Sequence, residues 1–243
     1  NIELRTFIRE EIKKEYNIIE AKDGEEAFSK AKQFIPDLVL SDIMMPKMDG
    51  ITLSQKLKND LKTSHIPIIL LTAKSSEEDN IEGLETGADE YIIKPFNMNV
   101  LSAKIKNLID SRSKLRELFD PTVKIDSSDL ITTPTDKEFL QKSIDIVNKN
   151  LSNVNFGIDD FANEIGVSRS LLYIKLRAVT NKSVSEFIRT IRLKKAAQLM
   201  EENNYNIGEI IDLVGFNNRS YFTRCFRKQF GKNPSEYIQD MKG

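Results

Sequence analysis

Three side chains with complementary phosphate chemistry each end a short apolar run. Asp42 follows Asp37-Leu38-Val39-Leu40-Ser41, Thr72 follows Ile68-Ile69-Leu70-Leu71, and Lys94 follows Tyr91-Ile92-Ile93, directly ahead of Pro95. A carboxylate can attack phosphorus to give an acyl phosphate. An ammonium and a hydroxyl can then hold its oxygens, the ammonium through charge-assisted hydrogen bonds. Singly, each residue has an ordinary account: Asp42 as a helix cap, Lys94 as a solvated charge, Tyr91 as edge packing. Their recurrence at three successive run ends favours a shared site.

Such a site needs a fold that brings run ends to one edge. In the first half, apolar runs at Asn17–Ala21, Asp37–Asp42, Ile66–Thr72 and Glu90–Lys94 alternate with amphipathic stretches starting at Glu25, Ile51, Glu77 and Met98. That alternation predicts a parallel sheet wrapped by helices. The runs Asp-Leu-Val-Leu and Ile-Pro-Ile-Ile-Leu-Leu are continuously apolar, as strands covered on both faces must be. Open sheets of this kind bind ligands beyond the carboxyl ends of their strands, where the three side chains stand.

Composition narrows the alternatives. The chain has 243 residues, of which 40% are hydrophobic and 30% charged, enough for one or two domains with a core each. No apolar run approaches the roughly 18 to 20 residues of a membrane helix. One cysteine, Cys225, and one histidine, His65, exclude an internal disulfide framework, multi-cysteine zinc signatures and sites with two imidazoles. His65 reads as a surface loop residue, and no nucleotide-binding loop accompanies it that would make it a kinase phosphodonor. Asn1-Ile2-Glu3 carries neither an initiator Met nor a basic-then-apolar leader, so the chain reads as part of something longer. Residues 1–120 hold 18 basic against 22 acidic side chains, and 121–243 hold 18 against 15. Within 168–232 the count is 13 against 5, a net +8 that would attract a polyanion.

The motifs Ser41-Asp42-Ile43-Met44-Met45-Pro46-Lys47-Met48-Asp49-Gly50, Leu71-Thr72-Ala73 and Tyr91-Ile92-Ile93-Lys94-Pro95-Phe96 resemble those of a bacterial two-component receiver domain, over roughly 1–112. The resemblance implies a flavodoxin-like α/β fold. It makes Asp42 the phosphoacceptor, Thr72 the switch hydroxyl, Lys94 the phosphoryl-binding cation and Tyr91 the switch aromatic, and it implies a cis Lys94-Pro95 bond and a histidine kinase as phosphodonor. It also implies Mg²⁺ beside Asp42. Receivers begin with a central strand that ends in an acidic pair, whereas this sequence starts at what reads as the first helix, Ile2–Glu15. Asp42 alone is a poor Mg²⁺ site. The expectation is that the first strand and its acids lie upstream of Asn1, because a sheet without its centre leaves backbone groups unpaired.

Leu101, Ile105, Leu108, Leu115 and Phe119 form a heptad-like stripe with Arg112 in the gap. Its first part should pack on the sheet. The remainder could pair two chains in a homodimer, although intrachain packing is the simpler account for so short a stripe. Asp120-Pro121-Thr122 to Thr133-Pro134-Thr135 is rich in Pro, Ser, Thr and Asp, which places a helical extension and linker at 113–135.

The second half, 136–243, repeats itself. Ile158, Phe161, Ala162, Ile165 and Gly166 match Ile207, Ile210, Ile211, Val214 and Gly215 at an offset of 49 residues. Each copy reads as a short helix ending at a left-handed glycine, followed by Val167-Ser168 or Phe216-Asn217-Asn218 opening a second helix. Thr135 with Glu138, Ser183 with Glu186, Asn206 with Glu209 and Asn233 with Glu236 are spaced as caps. In the second copy Phe222, Cys225, Phe226 and Phe230 face inward and leave Arg219, Ser220, Thr223, Arg224 and Arg227 outward, without an acid. In the first, Leu172 and Leu176 face inward and leave Arg169, Ser170, Tyr173, Ile174 and Arg177 outward. Arginine can read guanine bidentately while Ser and Thr reach phosphates or bases, so these faces suit a major groove; a merely solvated basic face would not be expected twice behind two turn signals. The helix between them, about Val184–Glu202, would span nearly 30 Å, close to one turn of B-DNA.

This arrangement, with Arg192-Leu193-Lys194-Lys195-Ala196-Ala197 and Gly215 to Arg227, resembles an AraC-type DNA-binding domain over about 136–240. Relatives often carry a basic or polar residue where Ile174 stands; an apolar one there could touch a thymine methyl or rest near the backbone. A receiver ahead of an AraC-type domain resembles the carboxy-terminal segment of a hybrid two-component regulator. That implies a phosphorylation-controlled transcription factor for nutrient, often polysaccharide, utilisation genes, acting in the cytoplasm or at the cytoplasmic end of a membrane-bound sensor. The segment itself is expected to accept phosphate and bind DNA rather than act as an enzyme. Two rivals are a phosphorylation-independent regulator, its receiver an interaction module, and an aspartate-nucleophile phosphohydrolase. Asp42-Ile43-Met44 lacks the second acid that such hydrolases place two residues on.

Overall fold

The structure is a computed structural model that describes residues 2–73, 87–117 and 133–240. The chain divides into two compact units, Asn1–Leu115 and Arg116–Gly243.

In the first unit, α1 (Ile2–Ile12), α2 (Gly24–Phe34), β1 (Val39–Asp42), α3 (Gly50–Asn59), β2 (Ile68–Thr72), β3 (Glu90–Ile93) and α4 (Met98–Glu117) follow one another among the described residues. The strands form a parallel sheet in the order β1-β2-β3, with Asp42 opposite Leu71 and Thr72 opposite Ile93. Alternation along β2 explains its continuous apolarity: Ile69 and Leu71 pack with Ile8, Leu101 and Ile105 of α1 and α4, while Ile68 and Leu70 pack with Ala31, Leu53 and Leu57 of α2 and α3. The first part of the α4 stripe packs on the sheet as expected. Arg112, in its gap, donates to Asp89 at 2.6 Å. Phe119, the side chain of Leu115 and the start of the helix expected from Glu77 lie outside the described residues.

One expected strand does not form. Asn17–Ala21 is irregular, and Ile18 and Ile19 are exposed. A strand exists through its ladder, and no described strand pairs with this segment. On β1, Val39 and Ile43 donate toward β2, to Pro67 and Leu71. By alternation the Leu40 and Asp42 amides face the opposite edge, along which no described strand pairs.

The second unit is helical: α5 (Pro134–Lys149), α6 (Ile158–Ile165), α7 (Arg169–Thr180), α8 (Val184–Glu202), α9 (Ile207–Leu213), α10 (Arg219–Phe230) and α11 (Pro234–Asp240). α6 with α7, and α9 with α10, are the two predicted helix-turn-helix units, and α8 has the predicted bounds. Both turn glycines are left-handed, Gly166 at φ +84° and Gly215 at φ +70°. Ser168 caps α7 and Asn218 caps α10 through the amides of Leu171 and Tyr221. Capping boxes form at Ser183 with Glu186 and at Asn206 with Glu209, and Glu236 accepts from the Asn233 amide. The cap expected at Thr135 falls two residues earlier: Thr133 accepts from the Asp136 amide, because Pro134 takes the first helical position.

Candidate functional site

In the first unit the sheet carries Asp42, Thr72 and Lys94 to its carboxyl edge. Asp42 closes β1, Thr72 closes β2, and Lys94 follows β3 with its amide donating to the Thr72 carbonyl at 2.7 Å. The Lys94 ammonium forms an ion pair with the Asp42 carboxylate, whose other oxygen accepts from the Met44 amide at 3.2 Å. Both side chains stay partly open to solvent. Tyr91 is half-buried beside Leu70 and Val39 on the α2–α3 face. The Lys94-Pro95 bond is cis.

Two Asp-Gly pairs, whose roles the sequence reading passed over, support the loop from Ile43 to Asp49. Asp49 caps α3 and Asp23 caps α2. A Cβ on Gly50 would lie 2.3 Å from the Asp42 carbonyl oxygen, and one on Gly24 would lie 2.3 Å from that of Met48. Both positions therefore admit only glycine. Asp23 is buried and receives Lys47 at 2.7 Å; the Lys47 ammonium, then the Glu26 amide, holds its carboxyl below the usual range. Hydrogen bonds from Thr52 do the same for Asp49. An Asp-Gly doublet just before each helical period was the available signal.

As a Mg²⁺ site the described residues are incomplete. Asp42 offers one carboxylate, already paired with Lys94, and no group of three metal-ligating side chains occurs among the described residues.

In the second unit Arg169, Ser170, Tyr173 and Arg177 are exposed on α7 as expected. Arg169 is ion-paired with Asp159 of α6, and Ile174, expected outward, is half-buried. Lys175, which the sequence reading left unassigned, is fully buried and ion-paired with Asp136 of α5. It falls on the Leu172–Leu176 stripe, where helical spacing could have shown it. On α10, Arg219, Ser220, Arg224 and Arg227 are exposed and Thr223 is half-buried; with Lys228 and Asn233 they line one open concavity. Arg224 lies 5.4 Å from the centre of the Tyr221 ring, whose hydroxyl accepts from Arg189 of α8 at 3.0 Å.

Comparison with known proteins follows the same division. Residues 2–106 match the response regulator receiver domain, and 161–240 match a helix-turn-helix domain. The first unit is thus a receiver. The chain as a whole carries a receiver followed by an AraC-type helix-turn-helix domain. Histidine kinase P4 of Formosa agariphila is 45% identical over 234 residues, which are 96% of this chain and 17% of that protein. The alkaline phosphatase synthesis transcriptional regulatory protein PhoP of Bacillus subtilis is 44% identical over 94 residues, 39% of this chain and 38% of its own. Among solved structures, the receiver domain of a signal transduction histidine kinase from Syntrophus aciditrophicus is 37% identical with a TM-score of 0.41, covering 45% of this chain and 82% of that one. The chain therefore spans well under half the length of these two curated relatives.

Proposed function

We propose that Asp42 accepts a phosphoryl group from a histidine kinase, and that this acyl phosphate controls sequence-specific DNA binding by the second unit. The observation that carries the reading is the Lys94 ammonium on the Asp42 carboxylate at the sheet edge where Thr72 also ends its strand. In transfer, an Asp42 oxygen bonds to phosphorus as the P–N bond of a phosphohistidine breaks and the imidazole leaves. Lys94 then neutralises phosphoryl oxygens, Thr72 supplies a hydroxyl to one of them, and Tyr91 repacks in response. Mg²⁺ would use Asp42 together with further acids that are not among the described residues. We divide the chain into a receiver at 1–112, an extension and linker at 113–135 and a DNA-binding domain at 136–243. DNA is met by Arg169, Ser170, Tyr173 and Arg177 of α7 and by Arg219, Ser220, Thr223, Arg224 and Arg227 of α10. No described helix is long and apolar enough to cross a membrane. The kinase is assigned to the same full-length chain, which is in keeping with the relative from Formosa agariphila, and the setting to the cytoplasm. Genes of nutrient or polysaccharide use are the proposed targets.

Intact-mass measurement of the full-length protein with a small phosphodonor should show a phosphoryl adduct that Asp42→Asn lacks. The same substitution should remove donor-stimulated DNA tightening. Unchanged stimulation would leave the receiver as a phosphorylation-independent interaction module.

A further inference from the structure

Near the middle of α8, Arg192 is 8% exposed, and no carboxylate among the described residues pairs with it. Its guanidinium instead donates to backbone carbonyls of two separate segments. Nη1 reaches Gly215 at 2.9 Å, in the turn of the second helix-turn-helix unit. Nη2 reaches Asn153 at 2.6 Å and Asn150 at 3.4 Å, in the connector that leads from α5 into the first. Nε is buried without a partner, so the side chain is committed to this bridge alone. The two segments also touch directly: a Cβ on Gly215 would lie 2.2 Å from the Leu151 carbonyl oxygen. A helix joining two units would by itself let each pivot about its end. Here a second tie closes the arrangement into a ring.

We propose that Arg192 is a positioning residue that locks the two helix-turn-helix units to one another, and so makes the chain selective for the distance between the two DNA elements it binds. This rests on the DNA-binding reading above. The planar fork of arginine donates to the two segments from separate nitrogens held in a fixed geometry, which the single nitrogen of the lysine ammonium does not reproduce. One base pair shifts a DNA element by about 3.4 Å along the duplex and roughly 35° around it, so a locked pair of recognition helices must fail when spacing changes by one.

The full chain would first be used to select duplexes from a random-sequence pool, and the preferred sequence remade with one base pair inserted or deleted between its contacted blocks. The expected result is a loss of at least about tenfold for the unsubstituted chain and less than about threefold for Arg192→Lys, with affinity for a random duplex unchanged. A substituted chain as strict as the parent, or a tolerant parent, overturns the lock. A pool that yields no preferred sequence counts against the DNA reading instead. Native-state hydrogen exchange of the unsubstituted chain then judges the lock without any variant. The amides of Gly215, Phe216 and Phe156 should open in one step with a common denaturant dependence, and independent opening sinks the proposal.

Discussion

The two helix-turn-helix units share a turn signature 49 residues apart and set it in different surroundings. The space around Gly166 is open, with nothing within 4 Å of an added Cβ, while Gly215 is hemmed in by Leu151 and Arg192. Beneath α7 the support is a buried ion pair, Lys175 with Asp136. Beneath α10 it is aromatic: Phe226 packs on Phe222, Phe230 and Tyr237 at ring separations of 5.7, 4.5 and 5.3 Å. Outward, α7 shows one arginine engaged by Asp159, whereas no ion pair engages the α10 arginines among the described residues. The same motif thus carries a buried charge pair and an uncrowded turn glycine in one copy, and a ring cluster and an enclosed turn glycine in the other.

The largest expected effect attacks the charged anchor. Lys175→Ala leaves Asp136 buried without its cation and should lower the stability of the second unit by about 3–5 kcal/mol in urea titration. Replacing both partners, as Lys175→Met with Asp136→Leu, should recover most of that loss, since burying a charge pair is itself unfavourable. If the double variant is as unstable as the single one, packing rather than charge holds α7.

Next comes the pair of glycines. Alanine at either needs a left-handed backbone, which costs roughly 1–2 kcal/mol. At Gly166 that should be the whole effect. At Gly215 the new methyl also meets the Leu151 carbonyl, and the overpacking adds about 1–3 kcal/mol. Equal thermal shifts for Gly166→Ala and Gly215→Ala would erase the distinction between open and clamped turns.

On DNA the difference should appear as a difference in reading. Arg224→Ala should cost about 1–3 kcal/mol of sequence preference at the base it meets. Arg177→Ala, on the face shared with half-buried Ile174, should lose less. Lys228→Ala should weaken all sequences alike and reduce the salt slope by about one. Titrations against the selected and the random duplex at two salt concentrations separate these outcomes.

Much of this was legible because the cues are local. Strand ends pointed to Asp42, Thr72 and Lys94, which the sheet does bring to one edge, and a repeated helical period with turn glycines pointed to the two helix-turn-helix units. The failures were of neighbourhood. Asn17–Ala21 has the composition of a strand, but a strand also needs a partner, which a local pattern cannot supply. Thr135 fits a cap rule that Pro134 overrode. Lys175 carries no assignment in the sequence, and Arg192 only its place in a family-like motif, until the fold shows a carboxylate and three carbonyls converging on them from other segments.

The smallest effect concerns the caps that open the recognition helices. Ser168 accepts from the Leu171 amide at 3.2 Å and Asn218 from the Tyr221 amide at 2.8 Å, so loss of either should cost about 1 kcal/mol. Their consequences for DNA should nonetheless diverge. The turn before α7 is held from outside only at its start, where Lys142 of α5 donates to the Ile165 carbonyl at 3.0 Å, and at Arg169 by an exposed ion pair with Asp159, so Ser168→Ala should let the first turn of α7 fray and carry Arg169 and Ser170 with it. The turn before α10 is held through Gly215 by Arg192, so Asn218→Ala should destabilise the fold by a similar amount while leaving Arg219 and Ser220 in register. Affinity for the selected duplex, measured below the unfolding range of both variants, should therefore fall more for Ser168→Ala. The reverse order would mean that the bridge at Gly215 does not reach the first turn of the helix it precedes.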